Sequence, residues 1–247
     1  MTTDGACLRA DVFLVRHGHA VSRAEAQSAI EAGNVSADGR RVARASQLLG
    51  PDSEIQFERA HPYVSRGALK LVAALDHFAL SPEAKTCLDI GASTGGFTQV
   101  LLERGAVRVY ALDVGHGQLH ATLLRDPRVT NLEGVNAREL KRSHIADAPE
   151  AIVADVSFIG LKLALSPALA HADDGAWLVA LVKPQFEVGR AMIGKGGIVR
   201  DARARKKAVD AIVDWLASQG WPTLGVLDSP IAGGDGNKEF LVAARKS

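Results

Sequence analysis

The chain has 247 residues, 47% of them hydrophobic and 23% charged, with a formal net charge of +1. That balance excludes a disordered tail and a globally basic nucleic-acid binder, while leaving room for a local basic face. Two cysteines, Cys7 and Cys87, are too few for a disulfide scaffold or a zinc site, and no apolar run reaches the roughly 20 residues of a membrane helix.

In chain order, the first 60 residues hold seven arginines and no lysine; the first lysine is Lys70. The start, "MTTDGACLRADVF", has neither the basic opening nor the apolar core of a signal peptide, so a cytoplasmic protein is expected. Residues 11–15 predict a short helix. Ser22 with Glu25 three positions later is a capping-box signature for a helix over 23–33, and Gly33 is placed to end it in the left-handed conformation. Val35 and Val42 flank an Asp-Gly turn, so two short strands are expected there, with a third over 53–58. His61-Pro62 then breaks regular structure.

Beyond that break a helix is predicted over 65–80, followed by strand 86–90, helix 97–104, strand 107–112, helix 116–124 and strands 129–133 and 151–154. Helix 160–171, strand 176–182, helix 201–219 and strands 223–228 and 238–244 complete the chain. Apolar strands alternating with helices imply an α/β fold with a mostly parallel sheet covered on both faces. The division expected is 1–59 as one domain, 60–64 as linker and 65–247 as the second domain.

The stretch "TCLDIGASTGGFTQVLLERGA" places a glycine-rich turn between a strand and a helix. It lacks the Gly-Lys-Ser/Thr ending of a phosphate loop, and Ala92-Ser93 breaks the G-x-G-x-x-G of dinucleotide folds, leaving D-x-G-x-x-x-G-G-F. Asp113 ends the next strand, where an acid can hold a ribose hydroxyl pair. An acid in that place without a phosphate turn suits a nucleoside lacking pyrophosphate, and S-adenosylmethionine fits. Gly91 and Gly95 would admit the methionine part, Asp89 would orient its ammonium, and Asn136 at the third strand end is placed for the adenine edge or for capping a turn.

Lys183 follows the apolar run Leu-Val-Ala-Leu-Val and must find a partner or a cleft, because burying an unpaired ammonium is costly. Beside a second lysine in a desolvated pocket, such a lysine can act as a general base towards a weak nucleophile such as a ribose 2′-hydroxyl. Lys70, Asp155 and Glu239 taken singly read as a surface lysine, a cap and a surface acid.

Two resemblances join these features. "LRADVFLVRHGHAVSRAEAQSAIEAGNVSADGRRV" resembles the S4 RNA-binding domain, with Ala10 where leucine is usual. In such a module Arg16, Arg23, Arg40, Arg41 and Arg44 could face phosphates; the plain alternative is a solvated charged face. Lys70, Asp155, Lys183 and Glu239 match in order and context the Lys-Asp-Lys-Glu tetrad of FtsJ-like 2′-O-ribose methyltransferases. The family's glycine motif is also met, with Thr94 in place of proline. With "YVSRGALKL", "KPQFEVGR", "GKGGIVRD" and "GNKEF", the chain resembles the TlyA, or hemolysin A-like, family of rRNA methyltransferases.

The resemblance implies a Rossmann-like class I methyltransferase domain behind a small S4-like α+β domain. It implies S-adenosylmethionine as cofactor, no metal, and methyl transfer to a cytidine 2′-hydroxyl in 16S rRNA, 23S rRNA or both within ribosomal subunits. Lys183 would be the base, with Asp155, Lys70 and Glu239 orienting the ribose. The motif residues Ser93, Thr94, Gly96 and Phe97 join Asp89, Gly91, Gly95, Asp113, Asn136 and Asp155 as the expected cofactor set. Arg66, Arg190, Lys195 and Arg200 join the expected RNA contacts. Rival readings are a non-catalytic ribosome-assembly factor, a membrane-active hemolysin, and a nicotinamide dehydrogenase, which the broken G-x-G-x-x-G disfavours.

Overall fold

A computed structural model describes residues 6–233 and 236–247; the first five residues of the expected N-terminal domain lie outside them. The chain divides into two units, 1–66 and 67–247, so Ser65 and Arg66 go with the first.

In the first unit, strand β1 (Leu8–Arg9) leads into helix α1 (Ala10–Arg16), followed by helix α2 (Arg23–Ala32) and strands β2 (Val35–Ala37), β3 (Arg40–Arg41), β4 (Leu48–Leu49) and β5 (Ile55–Phe57). Ser22 accepts the Glu25 amide at 3.2 Å. The Glu25 carboxylate reaches back to the Val21 amide, one residue earlier than a capping box requires. Gly33 closes α2 in the left-handed region. β2 pairs antiparallel with both β3 and β5, and β1 with β4. Phe13, Leu14, Ile30, Val35, Val42 and Leu49 form the core.

Asp11 is the exception in that core, with no exposed surface. Burial alone would raise its pKa, but hydrogen bonds from Arg9, Arg23 and Gln27 hold it well below the usual carboxylate range. One buried carboxylate thus ties the start of α1 to α2.

The second unit contains α3 (Ala68–His77), β6 (Thr86–Ile90), α4 (Gly96–Glu103), β7 (Arg108–Asp113), α5 (Ala121–Leu124), β8 (Val129–Glu133), β9 (Ala151–Ala154), α6 (Leu161–His171) and β10 (Trp177–Val182). It continues through α7 (Pro184–Glu187), α8 (Ala202–Ser218), β11 (Thr223–Asp228) and β12 (Phe240–Arg245). The seven strands lie in the order β8-β7-β6-β9-β10-β12-β11. The first five are parallel, and β12 runs antiparallel between β10 and β11. Every residue of β9 and β10 is buried, which explains their unbroken apolar runs. Ile90, Leu112, Ile152, Leu165, Leu178 and Trp221 are among the core they form with the covering helices.

Two expectations need correction. The helix predicted over 116–124 shrinks to the single turn Ala121–Leu124, because the Glu133 carboxylate captures the amides of Gly117, Gln118 and Leu119. The helix predicted over 65–80 occupies only Ala68–His77. The turn α7 was not expected; Pro184 sits at its first position, where a missing amide costs nothing.

Candidate active site

From β6 the chain winds outward through β7 and β8 on one side, and through β9 and β10 on the other. In open α/β sheets, ligands bind at the carboxyl ends of the strands where the winding reverses. A cavity of about 730 Å³ opens there, with Gly91, Ser93, Asp113, Asn136 and Asp155 in its lining. Its volume falls in the range of about 300–1,000 Å³ common to small-molecule sites.

The glycine turn builds one wall. At Gly91, φ is +82°, and a Cβ there would lie 2.5 Å from the Asp155 carbonyl oxygen, so only glycine lets the two strand ends approach. Ser93 also lies in the left-handed region and donates its amide to Asp113 Oδ2 at 2.8 Å. The other oxygen of Asp113 accepts the Gly115 amide at 2.8 Å. Each oxygen keeps a lone pair for a ligand hydroxyl.

Asn136 also lines the cavity, and its side chain caps a 3-10 turn by accepting the Arg138 amide at 3.1 Å, which is the turn-capping reading of this residue. Thr94, Gly95, Gly96 and Phe97 do not line the cavity. A Cβ on Gly95 would collide with Leu123, Gly96 begins α4, Phe97 is core, and the Thr94 carbonyl accepts the His120 amide. These four residues shape the turn from behind.

Asp89 is fully buried. Its Oδ2 accepts from the Thr98 hydroxyl at 2.6 Å, while Oδ1 has no hydrogen-bond partner among the described residues. Burial pushes its carboxyl up to about 7, opposed by the Thr98 bond and reinforced by the charges of Asp155 and Asp113. Asp89 does not itself line the cavity but directly precedes Ile90 and Gly91, which do; its orphaned acceptor suits the ammonium end of S-adenosylmethionine, and with Asp113 and the cavity volume the residues fit that cofactor.

The four charged residues singled out from sequence come together. β12 begins opposite the end of β10, Phe240 beside Val182. This register brings Glu239 to the strand ends that carry Lys183 and Asp155. Lys70, on α3, donates to Glu239 Oε2 at 2.6 Å and lies 3.9 Å from Asp155 Oδ2. Lys183 Nζ lies 2.6 Å from Asp155 Oδ1, an ion pair met off the hydrogen-bond direction, and donates to Ser157 Oγ at 2.8 Å. Lys70 is 7% exposed and Glu239 4%, so neither is a surface charge. Glu239 draws Lys70 towards itself, which leaves Asp155 chiefly to Lys183.

Four nearby residues were not singled out from sequence. Ser157 stands two positions after Asp155. Glu133 ends β8 opposite Asp113 and carries the signal already used for that residue, an acid at a strand tip. Phe158 lines the cavity, 92% exposed with φ +65°, its ring 5.2 Å from that of Phe186. Asn237, within "GNKEF", is 1% exposed.

The expected RNA contacts divide. Arg16, Arg40, Arg41 and Arg44 are exposed without an ion pair to another described residue. Arg23 is committed to Asp11, and Arg66 pairs with Glu31 at 3.5 Å. Arg190, Lys195 and Arg200 are exposed on the loop after α7.

The sequence matches the S4 domain over residues 8–55 and the FtsJ-like methyltransferase family over residues 63–246. The 16S/23S rRNA (cytidine-2′-O)-methyltransferase TlyA of Mycobacterium tuberculosis is 44% identical over 96% of this chain and 89% of its own length. Hemolysin A of Brachyspira hyodysenteriae is 39% identical over 95% of this chain and 98% of its own. A solved structure from Streptococcus thermophilus, titled as a hemolysin candidate, is 40% identical with a TM-score of 0.79, covering 98% of this chain and 89% of that one. On its fold, its assembled charges and these likenesses, the chain belongs to the FtsJ-like methyltransferase family, in the TlyA group that carries an S4 domain.

Proposed function

We propose that the protein is a cytoplasmic enzyme that methylates the ribose 2′-hydroxyl of a cytidine in 16S or 23S rRNA within ribosomal subunits. The observation that carries this reading is the line Glu239–Lys70–Asp155–Lys183, of which Asp155 lines the cavity. The name of the Mycobacterium tuberculosis relative supports the substrate.

In this reading Asp89 Oδ1 holds the cofactor's ammonium, Asp113 its ribose hydroxyls and Asn136 its adenine edge, with Gly91 giving the backbone clearance. When bound, S-adenosylmethionine supplies a methyl group activated by its sulfonium. Lys183 Nζ removes the proton from the ribose 2′-hydroxyl, so that the oxygen is a competent nucleophile when the methyl lies in line. Asp155 orients the Lys183 side chain and stabilises the ammonium formed by that proton. Lys70, fixed by Glu239, limits the negative potential at Asp155. Arg16, Arg40, Arg41 and Arg44 of the S4 unit, with Arg190, Lys195 and Arg200, supply phosphate contacts.

The test is methyl transfer from labelled S-adenosylmethionine to 30S and 50S subunits, with mapping of the label. Lys183→Ala is expected to lower kcat by about 10²–10⁴, the usual worth of a general base, while retaining cofactor binding. Label on a base instead of a ribose would sink the tetrad mechanism. Cofactor binding without transfer to either subunit would favour an assembly factor.

A further inference from the structure

The loop after α7 carries Arg190, Lys195 and Arg200 among glycines, and its second half is a built turn. The Gly194 amide donates to the Ile198 carbonyl at 3.0 Å, and the Gly197 amide to the Gly194 carbonyl at 3.1 Å. Arg205 on α8 donates from one guanidinium nitrogen to the carbonyls of Val199 and Arg200, both at 2.9 Å.

Asn237 clasps the same turn from the other side. Its Oδ1 accepts the Val199 amide at 3.0 Å, and its Nδ2 donates to the Gly197 carbonyl at 3.0 Å. The Asn237 carbonyl accepts the Gly233 amide at 3.0 Å, which closes its own segment. Two residues along the chain, Glu239 holds Lys70. A buried amide that satisfies both a backbone donor and a backbone acceptor is sensitive to loss of either atom, because the group left behind is stranded away from water.

We infer that Asn237 is a positioning residue, locking the 194–200 turn to the strand end that carries Glu239 and so fixing where RNA phosphates are gripped relative to the reacting groups. The inference rests on the RNA methyltransferase reading above. Asn237 itself touches neither the proton-transfer groups nor the cavity. Its side chain converts the tetrad's position into a position for Lys195 and Arg200. Asparagine suits the task where aspartate does not, since an Oδ2 facing the Gly197 carbonyl would set acceptor against acceptor.

Asn237→Asp keeps the shape and removes the donor; Asn237→Ala removes both bonds. Asn237→Ser, with a small polar group, replaces either variant if it does not fold. KM and kcat on ribosomal subunits, cofactor affinity and hydrogen exchange of the 194–200 segment would be compared with wild type. The expected result for Asn237→Asp is a KM for the subunit raised about 5–10-fold, kcat within about 3-fold and cofactor affinity unchanged, with faster exchange confined to 194–200. Lys195→Ala combined with Asn237→Asp should be less than additive, since both act through one turn. A loss confined to kcat, an additive double variant, or faster exchange throughout the unit would overturn the assignment. If wild type binds rRNA but transfers no methyl, the enzymatic reading fails by itself. The ratio of wild-type to variant rRNA affinities then tests Asn237, and equal affinities overturn it.

Discussion

Asp89 shows how one side chain can link ligand binding, protonation and stability. Its carboxyl, pushed up to about 7 by burial and by neighbouring Asp155 and Asp113, stays protonated in the native state over a range where the unfolded chain has released that proton. The native state then binds more protons between the ordinary carboxylate pKa of about 3.9 and about 7, so this group makes stability fall as pH rises through that window. The thermal midpoint of Asp89→Asn should therefore gain on wild type between pH 5 and pH 8. Cofactor affinity runs the other way, because only the carboxylate attracts an ammonium. Calorimetry should find wild-type binding weakening as pH falls below about 7 and Asp89→Asn binding weak and flat with pH. Unchanged, pH-independent affinity in the variant would remove Asp89 from the cofactor site.

At this scale only Lys183 draws notice by its own chemistry; Lys70, Asp155 and Glu239 read singly as bland, and it is the resemblance to the family tetrad, not their strand-end positions, that joins the four. Ser157 and Asn237 were not legible. Their roles depend on side-chain hydrogen bonds to Lys183 and to the 194–200 backbone, partners 26 to 40 residues away that no local pattern announces. The two-sided reading of Asn136 could not be resolved from sequence because one side chain can both cap a turn and face a cavity.

Among the elements, the 115–119 loop is the clearest case of a side chain overriding propensity. Residues 116–124 have helical spacing, but Glu133 offers a stronger set of acceptors to three consecutive amides. Those bonds, from Gly117, Leu119 and Gln118, hold its carboxyl at about 2, so it remains charged at any working pH. Gln118 lines the cavity, so the loop's position shapes the proposed cofactor site. Glu133→Gln puts an amide donor against backbone donors and should weaken S-adenosylmethionine binding about 10-fold. Titration calorimetry would read it, with the thermal midpoint nearly unchanged. The long strands of the second unit were legible from their apolar runs. β1 and β4, two residues each, leave no periodicity to read.

Across the whole chain, a net charge of +1 conceals uneven placement. Arg40 and Arg44 lie exposed in the first unit without partners among the described residues, whereas Arg23, which looked equivalent in sequence, is spent on Asp11. Arg40→Ala with Arg44→Ala should weaken rRNA binding and flatten its salt dependence, each lost phosphate contact reducing the slope of log K against log salt by about 0.7–0.9. The same slope for wild type and variant would assign those arginines to solvent. Arg23→Ala should instead lower thermal stability, since it leaves a buried carboxylate short of a partner.

The pairing of Lys70 with Glu239 spans 169 residues. The cavity, by contrast, is walled by residues between Ile90 and Leu163. During synthesis the walls of the cavity therefore emerge well before the strand that completes the charged line. On the proposed reading, a chain still being translated carries every wall residue of the cofactor chamber before it carries Glu239, so the charged line that handles the proton can be completed only once the start of the last antiparallel strand has emerged.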